Sequence, residues 1–513
     1  MILAGAVAWS GNWVIRLSPH EGGLRLSGGL HDWQFAVDLA PGGTLAAPPF
    51  VVALAASGDL NAVSTQFASV GRRFWYPHNA LADRLPVEWN HWWSYEDSQI
   101  DENVFRANVD VAAQLGMEVC TLDAGWFGPN DPSTHWYDYR GDWDLVNTRR
   151  FPSGLRALSD YVHARGMAFG LWCEIEALGK LARAAQAHPQ MVAVRDGAAL
   201  GYVCLGSAAG QQWALATLER LIGDYGCDWI KLDFNLDPGA GCNRSDHGHG
   251  VGDGLYTHYQ GYYALLRTIR QRYPEVVLEN CSSGGLRIDL GIARQTHMAF
   301  LSDPDWPEHS LQCFWGASVM LAPDALLHWG YCEWSITEHR YQHFDPRDSQ
   351  LTPHQIDFYT RISMLRRFGF SQRLPDLPVW VAARYQAHIA DYKNHVRRFV
   401  QKADLLRLND QPEREGLGAR CVAFQYAMPD GSEHLLAVFR LPGGEPEHRV
   451  FPQRIDHERS YTLTWLGENR IEQRDGSALF ERGLNFDDLP EEGSALILIA
   501  LNHINPPNPH AQG

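Results

Sequence analysis

No run of residues in this sequence is both long and apolar enough to cross a bilayer, which excludes a helical membrane-spanning protein. Positive charge is in deficit: 43 lysines and arginines face 60 aspartates and glutamates, a formal net charge of −17, and no basic run interrupts the excess. Such a chain repels phosphate backbones, so neither a nucleic acid nor a membrane is expected as a partner. Cysteine is sparse and unpatterned. The nine thiols lie at 120, 173, 204, 227, 242, 281, 313, 332 and 421, with no CxxC pair of zinc spacing and no dense disulfide framework. The opening ILAGAVAW lacks a basic n-region and soon meets Asn12 and Arg16, so no secretory signal is expected and a cytoplasmic protein is. Internal repeats and low-complexity tracts are also missing, and the tail NPPNPHAQG is expected to fray.

What is present is a large core. Hydrophobic residues make up 45% and charged residues 20%, and 513 residues exceed what one core normally covers, so two or three domains are expected. The 19 Trp and 19 Tyr belong mostly to that core, and the remainder offer flat faces on which the C–H faces of sugars can pack.

Residues 1–85 carry short alternating runs such as NWVIRLS and WQFAVDL between Gly/Pro clusters, which predicts a small β domain. From 86 to 405 apolar runs ending in polar residues alternate with helical stretches, the rhythm of a (β/α)8 TIM barrel. The strands predicted are VEWNHW, VCTLDAGW, FGLWCEIE, WIKLDFN, VVLENCS and AFLSD, with VMLAP or LLHWG beyond, and ENVFRANVDVAAQLG and GYYALLRTIRQRYP are predicted helices. The segment YQAHIADYKNHVRRFVQKADLL reads as a helix closing the barrel. Residues 406–513 return to strand signals and predict a C-terminal antiparallel β-sandwich domain.

Active sites of such barrels lie at the C-terminal ends of the strands. Here those ends are repeatedly acidic: Asp123, Glu174, Glu176, Asp233, Glu279 and Asp303. Two carboxyl groups across one pocket are what glycoside hydrolysis requires, one to attack and one to protonate the leaving oxygen. Lys231, two residues before Asp233 and so on the same side of a strand, would hold that carboxylate ionised, whereas Asp303 follows the apolar AFL.

At these residues the sequence resembles glycoside hydrolase family 36, the α-galactosidases. DWIKLDFN is similar to the family's K-W-D-x-N nucleophile strand, ENCSSGGLRID to its C-x-x-G-G-x-R segment and LSDPD to its acid/base segment. LDAGWFG, GDWDLVNTRRFPSGL, FGLWCEIE and WNHWWSYE resemble further family strings, in family order between about 87 and 305. The resemblance implies a retaining exo-acting α-glycosidase without a cofactor or metal, acting on a small oligosaccharide or glycoside. It implies Asp233 as nucleophile and Asp303 as acid/base. Asp123, Lys231 and Arg287 would bind hydroxyls, Trp92, Trp126 and Trp143 would form apolar walls, and Cys281 and Gly284 would line the space near the 2-substituent. An α-N-acetylgalactosaminidase, a raffinose-synthase-like transglycosylase, a noncatalytic sugar-binding barrel and a homo-oligomer all stay open. The loop DHGHGVGDGLYTH, with Asp246, His247, His249 and His258, reads as a helix entry rather than a metal site.

The sequence departs from the family at two points. The N-terminal domain is short, and the family's Asp-Asp pair, which reads the 4- and 6-hydroxyls of galactose, is Asp123-Ala124 here, with Glu174, Glu176 and the histidine loop as candidate replacements. A carboxylate accepting from a buried hydroxyl contributes on the order of 1.5–3 kcal/mol. Ala124→Asp should therefore raise kcat/KM on a simple aryl α-galactoside about tenfold or more. An efficient wild type that the substitution only impairs would mean another group already fills that position.

Overall fold

Residues 1–131, 133–303, 306–333 and 344–502 are described by a computed structural model. Pro304 and Asp305 of LSDPD and the tail from 503 lie outside the described residues.

Eight parallel strands close into a barrel: β1 (Glu88–Asn90), β2 (Val119–Leu122), β3 (Ala168–Cys173), β4 (Trp229–Leu232), β5 (Val277–Asn280), β6 (Met298–Phe300), β7 (Leu326–Trp329) and β8 (Arg367–Phe370), with β8 pairing back onto β1. Successive side chains of a strand point to opposite faces, and although nearly every strand residue is buried, the packing partners follow that parity. Val119, Trp229, Val277, Met298 and Leu327 form one apolar cluster, while Cys120, Leu122, Leu171, Ile230, Leu232 and Leu278 belong to a second, much larger one with the surrounding helices. The same parity puts Lys231 and Asp233 on the face of Trp229.

Six strands stand where the sequence predicts them. LLHW is β7, whereas VMLAP is a turn after the helix Pro307–Ala317. Strand β8, RFGF, was not predicted, because Arg366 and Arg367 continue the polar pattern of the preceding helix Pro353–Ser363. The fold buries Arg367 by directing its Nη1 to the carbonyl of Ala82 at 2.8 Å. ENVFRANVDVAAQL forms the helix Glu102–Leu115, started by the Asp101 carboxylate accepting from Val104 N at 2.8 Å and ended by Gly116 at φ 90°.

The N-terminal region holds two short antiparallel ladders, Ile2–Val7 with Phe50–Ala55 and Trp13–His20 with Gly23–Leu30. WQFAVDL is irregular, its Ala36 N bonded to the Gly252 carbonyl at 3.0 Å, and the helix Leu60–Val70 occupies part of the segment expected to be β. The predicted closing helix is Val379–Asp391, continued through a π turn to Arg397–Lys402. After it a six-stranded antiparallel sheet begins at Asp404–Arg407, and one face of that sheet shares a core with the short ladder Arg449–Val450 and Leu484–Asn485.

The N-terminal segment is fixed to the barrel by Trp9, which packs on Tyr256, Tyr259 and Tyr263 of the helix Gly254–Arg272, and by Ser10, whose N–H donates to the Tyr263 hydroxyl at 2.9 Å. Truncating a buried tryptophan costs roughly 3–5 kcal/mol. Trp9→Ala should accordingly speed hydrogen exchange of the Ile2–Val7 amides while leaving the C-terminal sheet protected. Equal acceleration in both regions would show that the segment does not open separately.

Candidate functional site

Asp233 is the first residue past β4. Its Oδ1 accepts from the backbone N–H groups of Phe234 (2.8 Å) and Ser283 (3.1 Å), and its Oδ2 from the Trp172 indole (3.2 Å) and the Asn235 amide (3.0 Å). All these neighbours donate, an arrangement that suits an acceptor-only carboxylate. Asp303, just past β6, has no such donors among the described residues. Burial raises it to about 7, the charge of Asp233 adds to the effect, and Lys231 opposes it.

The two aspartates are tied to one dipeptide. Ser283 donates its N–H to Asp233, and Gly284, at φ 77°, lies against Asp303 so closely that a Cβ there would sit 2.3 Å from the Asp303 nitrogen. Only glycine meets both conditions, the positive φ and the close approach. Consecutive Cα atoms are about 3.8 Å apart, so the dipeptide brings the two strand ends close together. The Cys281 thiol, inside the barrel, is pushed up by burial first and then by Asp233, with Asp303 contributing, which makes it a poor thiolate nucleophile.

Beneath lies Lys231. Its Nζ donates to Asp123 Oδ2 at 3.1 Å, and the ammonium sits 4.5 Å from the Phe300 ring centroid and 4.4 Å from that of Trp329. Burial works against its charge, but Asp123, with Cys281, Glu279 and Glu88, outweighs burial and holds the lysine protonated. Asp123 Oδ2 also accepts from Asn90 at 2.8 Å, and Oδ1 from the Ala124 N–H at 2.8 Å. Glu88 and Glu279, deeper still, receive the indole N–H groups of Trp329 (2.9 Å) and Trp229 (2.7 Å), and burial pushes both carboxyls up.

The remaining expected residues fall into two groups. Trp126 and Trp143 are fully buried and pack with Phe127 and Trp172, behind the pocket, whereas Trp92 keeps partial exposure and meets Trp136 edge-on at 5.6 Å. Arg287 directs its Nη1 to Glu176 at 2.8 Å, and His258 holds the other Glu176 oxygen at 2.9 Å. Glu174 is paired with Arg140 at 2.9 and 3.0 Å and with Asn235 N at 2.6 Å; burial, against the pull of Arg140, raises it to about 7. Both glutamates are thus engaged by cations, and neither is free to replace the carboxylate missing at Ala124.

Trp172, Asn235, Ser283 and Asn90 are not singled out by the sequence, although each stands one or two residues from a chosen carboxylate, glycine or tryptophan in a quoted string. Ser10, Gly11 and Asn12 join Asn235, Ser283 and Arg287 around a cavity of about 480 Å³ at this barrel mouth. A larger cavity of about 580 Å³, between Leu408, Phe451 and Phe480 in the C-terminal region, is lined by no carboxylate.

Asp303 titrates near 7 when folded and near 3.9 when unfolded. Its stabilising contribution is therefore complete below about pH 4 and disappears as the pH rises through about 7. Asp303→Asn should flatten the fall in Tm between about pH 5 and pH 8 relative to wild type, as read by calorimetry. Superimposable pH profiles would place the carboxyl in the ordinary range.

The melibiase family model matches residues 45–402. Curated relatives include the alpha-galactosidase Mel36A of Lactobacillus acidophilus, 27% identical over 415 residues that cover 79% of this chain and 53% of the relative. The alpha-galactosidase AgaA of Geobacillus stearothermophilus is 25% identical over 486 residues, 90% of this chain and 61% of the relative. The chain thus spans little more than half the length of these relatives. The solved structure of AgaA covers 98% of this chain and 67% of its own at a TM-score of 0.83 and 22% identity, and a variant of AgaA has been solved with raffinose at the same TM-score. A match across most of the chain, on a barrel whose strand ends carry this carboxylate set, establishes that the protein belongs to the melibiase family.

Proposed function

We propose that the protein is a retaining, exo-acting α-galactoside hydrolase, with Asp233 as nucleophile and Asp303 as general acid/base. The observation that carries this reading is the contrast between two aspartates held by one Ser283–Gly284 dipeptide: one is surrounded by donors, the other raised to about 7. Carboxyls whose environments drive them apart in this way divide the roles of nucleophile and acid.

In the first step Asp233 Oδ attacks the anomeric carbon as the glycosidic bond breaks, and the Asp303 carboxyl gives its proton to the leaving oxygen. In the second, Asp303 takes a proton from water, which attacks the same carbon and releases Asp233. Retaining enzymes hold the two carboxyls about 5–5.5 Å apart, the separation we assign here. Lys231, Asp123 and Asn90 supply donors and acceptors for the sugar hydroxyls, and half-exposed Trp92 supplies an apolar face. Because an AgaA variant binds raffinose and another stachyose, we infer raffinose-type α-galactosides as the substrate class. The α-galactosidase relatives favour hydrolysis over transfer to a second sugar or release of N-acetylgalactosamine. All nine cysteines are free, and among the described residues no helix is long and apolar enough to cross a membrane, which supports assigning the protein to the cytoplasm.

The test is hydrolysis of an aryl α-galactoside followed by NMR, with α-galactose expected as first product. Asp233→Ala should lose several orders of magnitude in kcat. Azide should restore turnover in that variant and give the β-galactosyl azide. Asp303→Ala should be least impaired on substrates whose leaving group needs no proton. Normal turnover in Asp233→Ala, or β-galactose as the first wild-type product, would overturn the assignment.

A further inference from the structure

The histidine loop that follows the nucleophile strand does more than lead into a helix. Cys204, from the turn after the strand Ala198–Val203, meets Cys242, His247 and His249 of that loop, and one donor atom from each lies within 4.8 Å of all the others. In the sequence the histidines stand beside Asp246 alone, with no thiol in the same string. Its missing partners are two thiols, one of them from a different barrel segment. His258, the third histidine of the run, points away to Glu176.

Two cross-pairs of the cluster already stand at the spacing of a tetrahedral metal. Donors bound to one zinc, at about 2.3 Å for sulfur and 2.0–2.1 Å for nitrogen, lie about 3.3–3.8 Å from one another. Cys204 Sγ is 3.3 Å from His249 Nε2, and Cys242 Sγ is 3.5 Å from His247 Nδ1. The second nitrogen of His249 is already used. Nδ1 lies 2.8 Å from the Gly250 carbonyl, which fixes the tautomer with its lone pair on Nε2, the usual support for a ligating histidine. His247 Nε2 is buried without a hydrogen-bond partner among the described residues.

Hydrogen bonding within the cluster is a poor alternative. All four side chains are buried, Cys204 and Cys242 at 0% and 1% exposure and His247 and His249 at 4% and 8%. Thiols are weak donors and acceptors, so two of them cannot satisfy two buried imidazoles as a metal would. A thiolate–imidazole set of this kind selects zinc among common divalent ions.

We propose that Cys204, Cys242, His247 and His249 form a structural zinc site. Four protein ligands leave no open position, so the ion is a staple and not a reaction centre. It reinforces the contact of two segments separate in sequence, the insertion after β3, which carries the ladder Val192–Arg195 and Ala198–Val203, and the loop after β4, which already meet where Asn243 N–H donates to the Val194 carbonyl at 2.9 Å. Tyr202, Phe234, Cys204 and Cys242 share one small apolar cluster, so the staple closes directly behind Phe234, the neighbour of Asp233.

The experiment is metal analysis of the full-length protein purified without chelators or metal-affinity resin. About one zinc per chain is expected, removed by a strong chelator with a fall in Tm. Replacing it with cobalt should produce the visible ligand-field bands of a tetrahedral site together with thiolate-to-cobalt charge transfer. Cys204→Ser and His249→Ala should each lose the ion or bind it far more weakly. Should those variants fail to fold, alkylation of wild type gives an independent reading: Cys204 and Cys242 should become reactive on chelation while buried Cys120 and Cys173 do not. A metal-free protein that gives no cobalt spectrum would overturn the proposal. So would full zinc occupancy in Cys204→Ser/Cys242→Ser, or a Cys204–Cys242 disulfide found by mass spectrometry.

Discussion

A single ammonium group sets the terms for the inside of this barrel. Lys231 is buried among indole and phenyl rings, and an isolated charge there would be prohibitively costly. Asp123 neutralises it at contact distance, and two further carboxyls lie below. Because the lysine is satisfied by Asp123, it does not form an ion pair with either Asp233 or Asp303. Among the described residues those two have no ion-pair partner, while Lys231 places a positive charge nearby. The field therefore stabilises negative charge at the pocket floor without locking either aspartate in a salt bridge.

Around that centre the other acidic strand ends are consumed in pairs. Glu174 is matched to Arg140, and Glu176 to Arg287 and His258, each at hydrogen-bond distance and without exposure. Breaking such a buried pair leaves an uncompensated charge and typically costs about 3–5 kcal/mol. Their work is indirect: Glu174 holds Asn235, which donates to Asp233, and Arg287 packs over Phe234. The pocket thus has an inner set of groups that can change partners and an outer set that cannot.

The barrel was legible in the sequence because its strands run apolar and end acidic, a pattern that parity alone converts into inward-facing positions. Strand β8 was not, since Arg366 and Arg367 conceal a buried strand whose own arginine, Arg367, is satisfied by the carbonyls of Asp324 and Ala82. The type of each acidic residue could be read, but its partner could not: Arg140 and His258 lie 34 and 82 residues from the glutamates they meet. The same limit hid the Cys/His cluster, whose first thiol sits on another segment of the barrel. Local strings reveal which side chains reach the barrel mouth; which of them pair depends on closure of the ring.

One wall of the barrel-mouth cavity is made by Ser10, Gly11 and Asn12, and the hydrogen bond that holds Ser10 reaches Tyr263, 253 residues further along the chain. On the ribosome these residues emerge before the helix that seats them and find their place only once Tyr263 has followed. Until then Trp9 has no aromatic helix to pack against and remains an exposed apolar side chain on a nascent segment. The protein is therefore obliged to keep this segment undocked until the helix Gly254–Arg272 has been made, a period in which unpaired strands invite association with other chains. Docking of that end is a late event in assembly, and it completes the chamber's rim at the same time as it buries the tryptophan.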